Sequence, residues 1–303
     1  MSAFVEARVA ATGSDSAVSR AKFRARFLKL LQTENGRKRI EHVTGLRGIA
    51  KALSDQHGTK RSEYELARDE YRESILIEIE SKIDDVGYAI AVGSPSWESF
   101  YQFGRLEAAL LTQYGLLDCN RLVDVGCGSG RLALSLPDAF TGDYLGTDIS
   151  EPLLKRLAQS RNSPRFQFVH VDGLSIPVED ESVDMVSMFS LLTHLRHEES
   201  FLYLRDARRA LRKGGTVVFS FLDFSQSSLH HEFLSAVAAV EAGVLHHVNQ
   251  FMSRDLIVAW AQILEFEVVA IHDGESNYIH LDEPDGSSRF GSLGQSVAVY
   301  RRP

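Results

Sequence analysis

Two kinds of periodicity divide this chain of 303 residues. Up to about residue 114 the apolar positions recur at helical spacing. Phe23, Phe27, Leu28 and Leu31 form one such set. Ser62 and Glu65 make a capping box before Tyr71, Ile75 and Ile79, while Glu63, Arg68, Asp69 and Arg72 supply a solvated face. Ser94 followed by Pro95 predicts a second helix, since proline at the first helical position sacrifices no hydrogen bond. It runs through Trp97, Phe100, Leu106, Leu110 and Leu111 to about Tyr114, where Gly115 stops it.

From Arg121 the pattern changes to short apolar runs alternating with amphipathic segments, the mark of a mainly parallel sheet covered on both faces. Leu122 to Val125, Tyr144 to Thr147, Phe166 to Val171, Val183 to Phe189 and Val217 to Leu222 read as five successive strands. Helices are expected at about 130 to 136, 150 to 160 and 198 to 212, the last ending in the glycine stop Lys213-Gly214-Gly215. Residues 224 to 250 then interrupt the alternation as an insertion with an apolar helical core at Phe233, Leu234, Val237 and Val240. A helix near 253 to 264 and strands near 266 to 272 and 296 to 301 complete the chain. The expected organisation is a helical N-terminal extension or lid over 1 to 94, and an α/β domain over 95 to 303 whose insertion at about 224 to 250 forms a cap.

Composition adds exclusions rather than a function. With 44% hydrophobic and 24% charged residues the chain is neither disordered nor collagen-like. Its first twenty residues hold no apolar core of a leader, and no run approaches the roughly 18 to 20 apolar residues that span a bilayer; the expectation is a cytoplasmic protein without a membrane partner. Cys119 and Cys127 flank an extended run, beyond disulfide reach, and are expected as free thiols. The net charge of −8 conceals a stretch from Arg20 to Lys51 with ten lysines or arginines against two glutamates. That stretch could recruit a polyanion; its apolar spacing favours a basic arm folded onto an acidic body.

The informative motif is Leu122-Val-Asp-Val-Gly-Cys-Gly-Ser-Gly-Arg131. A buried strand runs into glycines at 126, 128 and 130, at the carboxyl edge where open α/β sheets place their ligands. A dinucleotide fingerprint would need its third glycine at 131, where Arg131 stands. Asp124, two residues before the first glycine, suits a ligand with an ammonium group and a nucleoside.

Here the sequence resembles the class I S-adenosylmethionine-dependent methyltransferases, over roughly residues 95 to 275. Asp148 at the end of the second strand matches the family's ribose-binding carboxylate, an acid able to accept from two vicinal hydroxyls. Asp172, in His170-Val-Asp-Gly173, matches the residue that accepts from the adenine amino group. Ile176 to Asp184 resembles the acidic loop leading into strand four, the Phe189 segment resembles the one passing beneath the cofactor, and Ala210-Leu-Arg-Lys-Gly-Gly215 resembles the turn before strand five. The resemblance implies a doubly wound Rossmann-like sheet of seven strands, mostly parallel with an antiparallel last strand. It implies S-adenosylmethionine as cofactor, held by Asp124, Gly126, Cys127, Gly128, Gly130, Asp148, Ile149, Asp172, Gly173 and Phe189. In relatives the helix before the first strand often reaches the methionine end, so Arg105 is a candidate for the carboxylate there.

A hydroxyl acceptor needs a base near the moment of attack, whereas a thiolate does not. His194, just past strand four, is the first candidate and His247 in the insertion the second. The pairs His230-His231 and His246-His247 lack the spacing of a metal set, and no metal is expected. The absence of an N-P-P-Y or D-P-P-Y sequence after strand four argues against base and glutamine amines as acceptors. No cysteine follows residue 127 to serve as the nucleophile of carbon-5 pyrimidine methylation. A small-molecule hydroxyl, on a sugar or metabolite, is left by elimination. The alternatives are an RNA or protein methyltransferase using the basic arm, and a non-catalytic cofactor-binding protein.

Overall fold

The computed structural model describes Ala89 and residues 93–241, 249–282 and 286–303. The chain divides into two compact units, 1–77 with 234–247 and 78–233 with 248–303. The expected helical extension, its capping box at Ser62 and the basic stretch lie outside the described residues, as do His246 and His247.

The second unit opens with α1 (Trp97–Gln113), which starts two residues later than the Ser94-Pro95 signal predicts. Ser96 is the residue that caps it, its hydroxyl accepting from the Ser99 N–H at 3.1 Å, while the Ser94 N–H is spent on the Ala89 carbonyl. Gly115 ends the helix as expected, at φ +92°. Next come β1 (Arg121–Val125), β2 (Asp143–Asp148), α2 (Glu151–Ser160), β3 (Phe166–His170), β4 (Val183–Met188), α3 (His197–Ala210) and β5 (Leu211–Asp223). After β5 follow α4 (His230–Glu241), the two-residue β6 (Phe251–Met252), α5 (Arg254–Ile263), β7 (Glu267–His272), β8 (Ile279–Asp282), β9 (Ser288–Gly291) and β10 (Ser296–Arg301).

The main sheet has the order β3-β2-β1-β4-β5-β10-β7, with β6 beside the far end of β5. β1 is parallel to both β2 and β4, and β10 is antiparallel to its neighbours β5 and β7. The expected seven-stranded path with one reversed strand is therefore present. Alternation along the strands splits the core in two. Val123, Val186 and Phe219 pack with Leu204 and Ala207 of α3 and Ile257 and Trp260 of α5. Leu122, Met185 and Val218 pack on the opposite face with Leu106, Leu110 and Leu111 of α1 and Leu154 and Leu157 of α2. Burial on both sides is why the strands read as near-continuous apolar runs.

Three expectations are corrected. No helix forms over 130 to 136; turns occupy it, an i−4 bond from Leu134 to Gly130 giving way to an i−3 bond from Ser135 to Leu132 before Pro137, which has no N–H to donate. The helix expected over 198 to 212 stops at Ala210, because Leu211 already pairs with Val183 and the Gly214-Gly215 backbone is bound to Arg302. Gly214, at φ +78°, lies within the long β5 and not at a helix end. The hairpin of β8 and β9 had no counterpart in the expected elements; it lies against α1, with Ile279 and Leu281 entering the same core as Leu106. In the insertion, α4 confirms the expected helix, but Leu234 is 62% exposed and Phe233 39%, so those positions are not core.

Candidate active site

The glycine turn is held from both sides. The Gly126 and Cys127 N–H groups both donate to the Thr147 carbonyl of β2, at 2.7 and 3.0 Å, which folds the chain back as it leaves β1. Gly126, Gly128 and Gly130 all have positive φ, a conformation costly for any other residue. A Cβ on Gly126 would lie 3.0 Å from Leu191 Cδ1, and one on Gly130 would lie 2.2 Å from Leu157 Cδ1. The outer glycines thus admit the segment after β4 and helix α2 into close contact with the turn. Cys127 is buried, its Sγ tight against Gly146, and burial pushes its thiol well above the ordinary range. Both cysteines are free thiols, as expected, and both are buried.

Asp148 stands at the tip of β2 and is tied to this turn. Its Oδ2 accepts from the Gly128 N–H at 2.9 Å and its Oδ1 from the Ser150 N–H at 2.8 Å. Burial raises its pKa, while those backbone donors and His170 pull it down. Each carboxylate oxygen has two lone pairs, so both retain acceptor capacity. Ile149 lends its carbonyl to His170 Nε2 at 3.1 Å. At the tip of β3, Asp172 is 68% exposed with its Oδ1 3.6 Å from His170 Nε2, and the Gly173 carbonyl accepts from the Tyr203 hydroxyl. The structure therefore brings Asp148, Ile149 and Asp172 together around His170, a residue the sequence reading passed over.

Asp124 is differently placed. It is 4% exposed, and its oxygens accept from the Tyr144 hydroxyl at 2.6 Å and the Ser187 hydroxyl at 2.8 Å. Burial pushes its pKa up to about 7 against the pull of those two donors. Behind it lies a second buried acid, Glu107 of α1, paired with Arg131 at 2.5 Å. Gly104, one turn earlier, lets α1 touch the post-glycine segment: a Cβ there would meet the Arg131 carbonyl and Ser135 Oγ, each at 2.2 Å. Near the start of α1, Trp97 is half-buried beneath Arg156 of α2, 5.9 Å from the ring, and Tyr101 is 46% exposed. Arg105 is half-buried on the same helix.

The segment after β4 forms the opposite wall. Phe189 is 7% exposed and sits in the core on the α1 face. Ser190 adopts φ +55° without being glycine, a strain that persists only where surroundings fix it. Here its N–H donates to Ser220 Oγ and its carbonyl accepts from the Thr193 hydroxyl, both at 2.7 Å. His194 closes the short 3-10 turn Leu192–His194, half-buried, its N–H donating to the Leu191 carbonyl. Beyond the carboxyl end of β5, Phe224, Phe233 and Phe251 meet edge to face at 5.2 to 5.7 Å. His230 Nε2 donates to the Phe224 carbonyl at 3.0 Å, and His231 is exposed. No group of three metal-ligating side chains exists among the described residues.

A strand-turn ligand cradle, an anchored acid on the next strand and a reversed final strand define a nucleoside-cofactor fold of the methyltransferase class. Residues 123–219 match the family model described as "Methyltransferase domain". That match spans about a third of the chain, and with the fold it marks a methyltransferase domain like those of the class I S-adenosylmethionine-dependent enzymes. Its curated relatives include demethylmenaquinone methyltransferases of Staphylococcus saprophyticus, 29% identical over 40% of this chain and 52% of that one, and of Staphylococcus aureus, 29% identical over 43% and 54%. The chain thus spans about half the length of those relatives. Among solved structures, magnesium protoporphyrin IX methyltransferase from Synechocystis PCC 6803, with bound S-adenosylhomocysteine, superimposes with TM-score 0.54 at 16% identity, covering 80% of this chain and all of that one. A protein of Pyrococcus horikoshii does so with TM-score 0.50 at 18% identity, over 70% and 93%. At such identities the likeness is one of fold. S-adenosylmethionine is the cofactor of this class, and the anchored Asp148 with unspent lone pairs fits its ribose diol.

Proposed function

We propose that the chain transfers a methyl group from S-adenosylmethionine to a hydroxyl of a small molecule, a sugar or other metabolite. The observation that carries the donor half is Asp148. Its carboxylate is fixed by the Gly128 and Ser150 amides at 2.9 and 2.8 Å, so its remaining lone pairs are pre-aimed for two vicinal hydroxyls without a cost in side-chain freedom. Gly126, Cys127, Gly128 and Gly130 shape the turn, Asp172 and Gly173 would meet the base, and Ile149 and Phe189 support the walls. Asp124 would act on the cofactor's ammonium through the buried Tyr144-Ser187 arrangement or bound water, and Arg105 on its carboxylate.

When bound, the sulfonium supplies an activated methyl, whose bond to sulfur breaks as the acceptor oxygen bonds to carbon. The chain's own task is alignment, exclusion of water and removal of the hydroxyl proton. His194 is the candidate for that last role. It rides on the same turn as Leu191, which lies against Gly126, and a histidine can take up a proton at neutral pH. His247 is the second candidate. The "demethylmenaquinone" relatives support a small-molecule acceptor, and the exposed Phe224 and Phe233 with the half-buried Phe251 suit a ring.

Calorimetry with S-adenosylhomocysteine tests the donor half. Asp148→Ala removes two charge-assisted hydrogen bonds, each worth about 1.5–3 kcal/mol, so affinity should fall about a hundredfold or more. Unchanged affinity would refute the ribose assignment. His194→Ala should leave that affinity intact and slow labelled methyl transfer by about two orders of magnitude.

A further inference from the structure

Three segments that are distant in sequence meet at the carboxyl edge of the sheet between β4, β5 and β10. The Ser190 N–H donates to Ser220 Oγ at 2.7 Å, and the Ser220 hydroxyl donates to Gln295 Oε1 at 2.7 Å. Ser190 Oγ lies 3.5 Å from the same Gln295 oxygen. Ser220 is 1% exposed, so this is a built contact and not a surface encounter. Gln295 is further fixed from behind, since Gly274 leaves no room for a Cβ, which would stand 2.4 Å from the Gln295 carbonyl carbon. The glutamine is thereby gripped by its oxygen and its backbone. Its two Nε2 protons have no partner among the described residues, and Gln295 is only half-buried. Ser190 is the immediate neighbour of Leu191, the side chain that fills the space over Gly126. This amide's mount is therefore joined by a single peptide bond to the wall of the donor cradle.

We infer that Gln295 binds the methyl acceptor, donating from Nε2 to one of its oxygens, and that Ser220 and the strained Ser190 are positioning residues for that amide. The inference rests on the small-molecule methyltransferase reading above and narrows it. An amide pinned by its oxygen offers only donors. It complements a lone pair on a hydroxyl or carbonyl oxygen and leaves a protonated amine with no acceptor. Holding that oxygen leaves a second lone pair for attack and restricts the approach angle.

The test uses the full chain, S-adenosylmethionine labelled in its methyl group, and, as acceptors in separate reactions, the small-molecule extract and the macromolecular fraction of the source cells. Gln295→Glu keeps an oxygen for both serine hydroxyls but cannot donate; Gln295→Leu removes both functions; Ser220→Ala frees the amide. Both Gln295 variants should bind S-adenosylhomocysteine with wild-type affinity and melt within a few degrees of wild type. They should transfer label at least thirtyfold more slowly, with the apparent KM for extract raised more than kcat is lowered. Ser220→Ala should show a smaller loss of the same kind. Label transfer by Gln295→Glu and Gln295→Leu at the wild-type rate would overturn the inference. So would equal losses of S-adenosylhomocysteine affinity and activity, which mark a merely structural residue. Wild-type protein that binds S-adenosylhomocysteine but labels only macromolecules overturns the small-molecule reading and this inference with it; failure of wild-type protein to bind S-adenosylhomocysteine overturns the donor assignment instead.

Discussion

Asp124 carries a charge problem in a space of a few ångströms. Its ordinary carboxylate range lies near 4, and burial raises it to about 7 in the folded chain. Between those values the folded state holds a proton that the unfolded state has released. This group's contribution to stability is therefore complete below about pH 4 and declines as the pH rises through about 7. Asp124→Asn, which keeps the size and one acceptor, should flatten the difference between melting temperatures at pH 5 and pH 8; an unaltered difference would show that the carboxylate is ionised throughout. Gly130 is the second residue whose environment is unforgiving. At φ +90°, and with Leu157 Cδ1 2.2 Å from the missing Cβ, alanine there should cost about 2–4 kcal/mol from backbone strain and overpacking combined. Adding Leu157→Ala should recover only the packing share, as read by denaturant titration. Asp124 and the glycines stood out in the sequence by their spacing, and Asp148 through the resemblance to the methyltransferases. Gln295 was not, because a glutamine in a loop has no motif, and its meaning comes from Ser220, 75 positions away.

At the scale of elements, α1 is the clearest case of a helix whose pattern predicted its existence but not its purpose. Its apolar stripe buries Leu106, Leu110 and Leu111, and the same helix carries Glu107 into contact with Arg131. Desolvation raises the Glu107 pKa and the arginine lowers it, in that order of size. Removing Glu107 strips Arg131 of this buried carboxylate, a loss on the order of 3–5 kcal/mol for a buried pair. Glu107→Ala should therefore destabilise the chain strongly, while Glu107→Leu with Arg131→Met together should cost less than the single change; chemical unfolding of the set would decide. The misread elements share a cause. Residues 130 to 136 have helical composition, yet contact with Gly104 of α1 takes the space around the Arg131 carbonyl and Ser135 that a regular helix would need. Likewise β5 begins six residues early because Leu211 finds a partner in Val183, which no local propensity encodes. The β8-β9 hairpin was hidden by its length: four alternating residues, Ile279 to Asp282, do not stand out from a loop.

Across the whole molecule, the parallel half of the sheet was readable because each strand is buried on both faces and followed by an amphipathic helix. The carboxyl edges of β5 and β7 were less so. They are joined by a polar knot in which Arg254 donates to the buried Asp223 at 2.6 Å and to Asp273 at 2.9 Å, and Ser296 donates to Asp223 at 3.1 Å. This knot brings together residues from both sides of α5 and the start of β10. The order of assembly follows from the reversed last strand. Everything assigned to the donor comes from one stretch, Arg105 to Phe189, ending just past β4, whereas Gln295 stands at the start of β10, which lies between β5 and β7. A growing chain could thus shape its nucleoside pocket well before it can recognise anything to modify. Selectivity for the second reactant would be conferred by the closing stitch of the sheet, and loosening that stitch should leave a protein that still grips its methyl source but has nothing to aim it at.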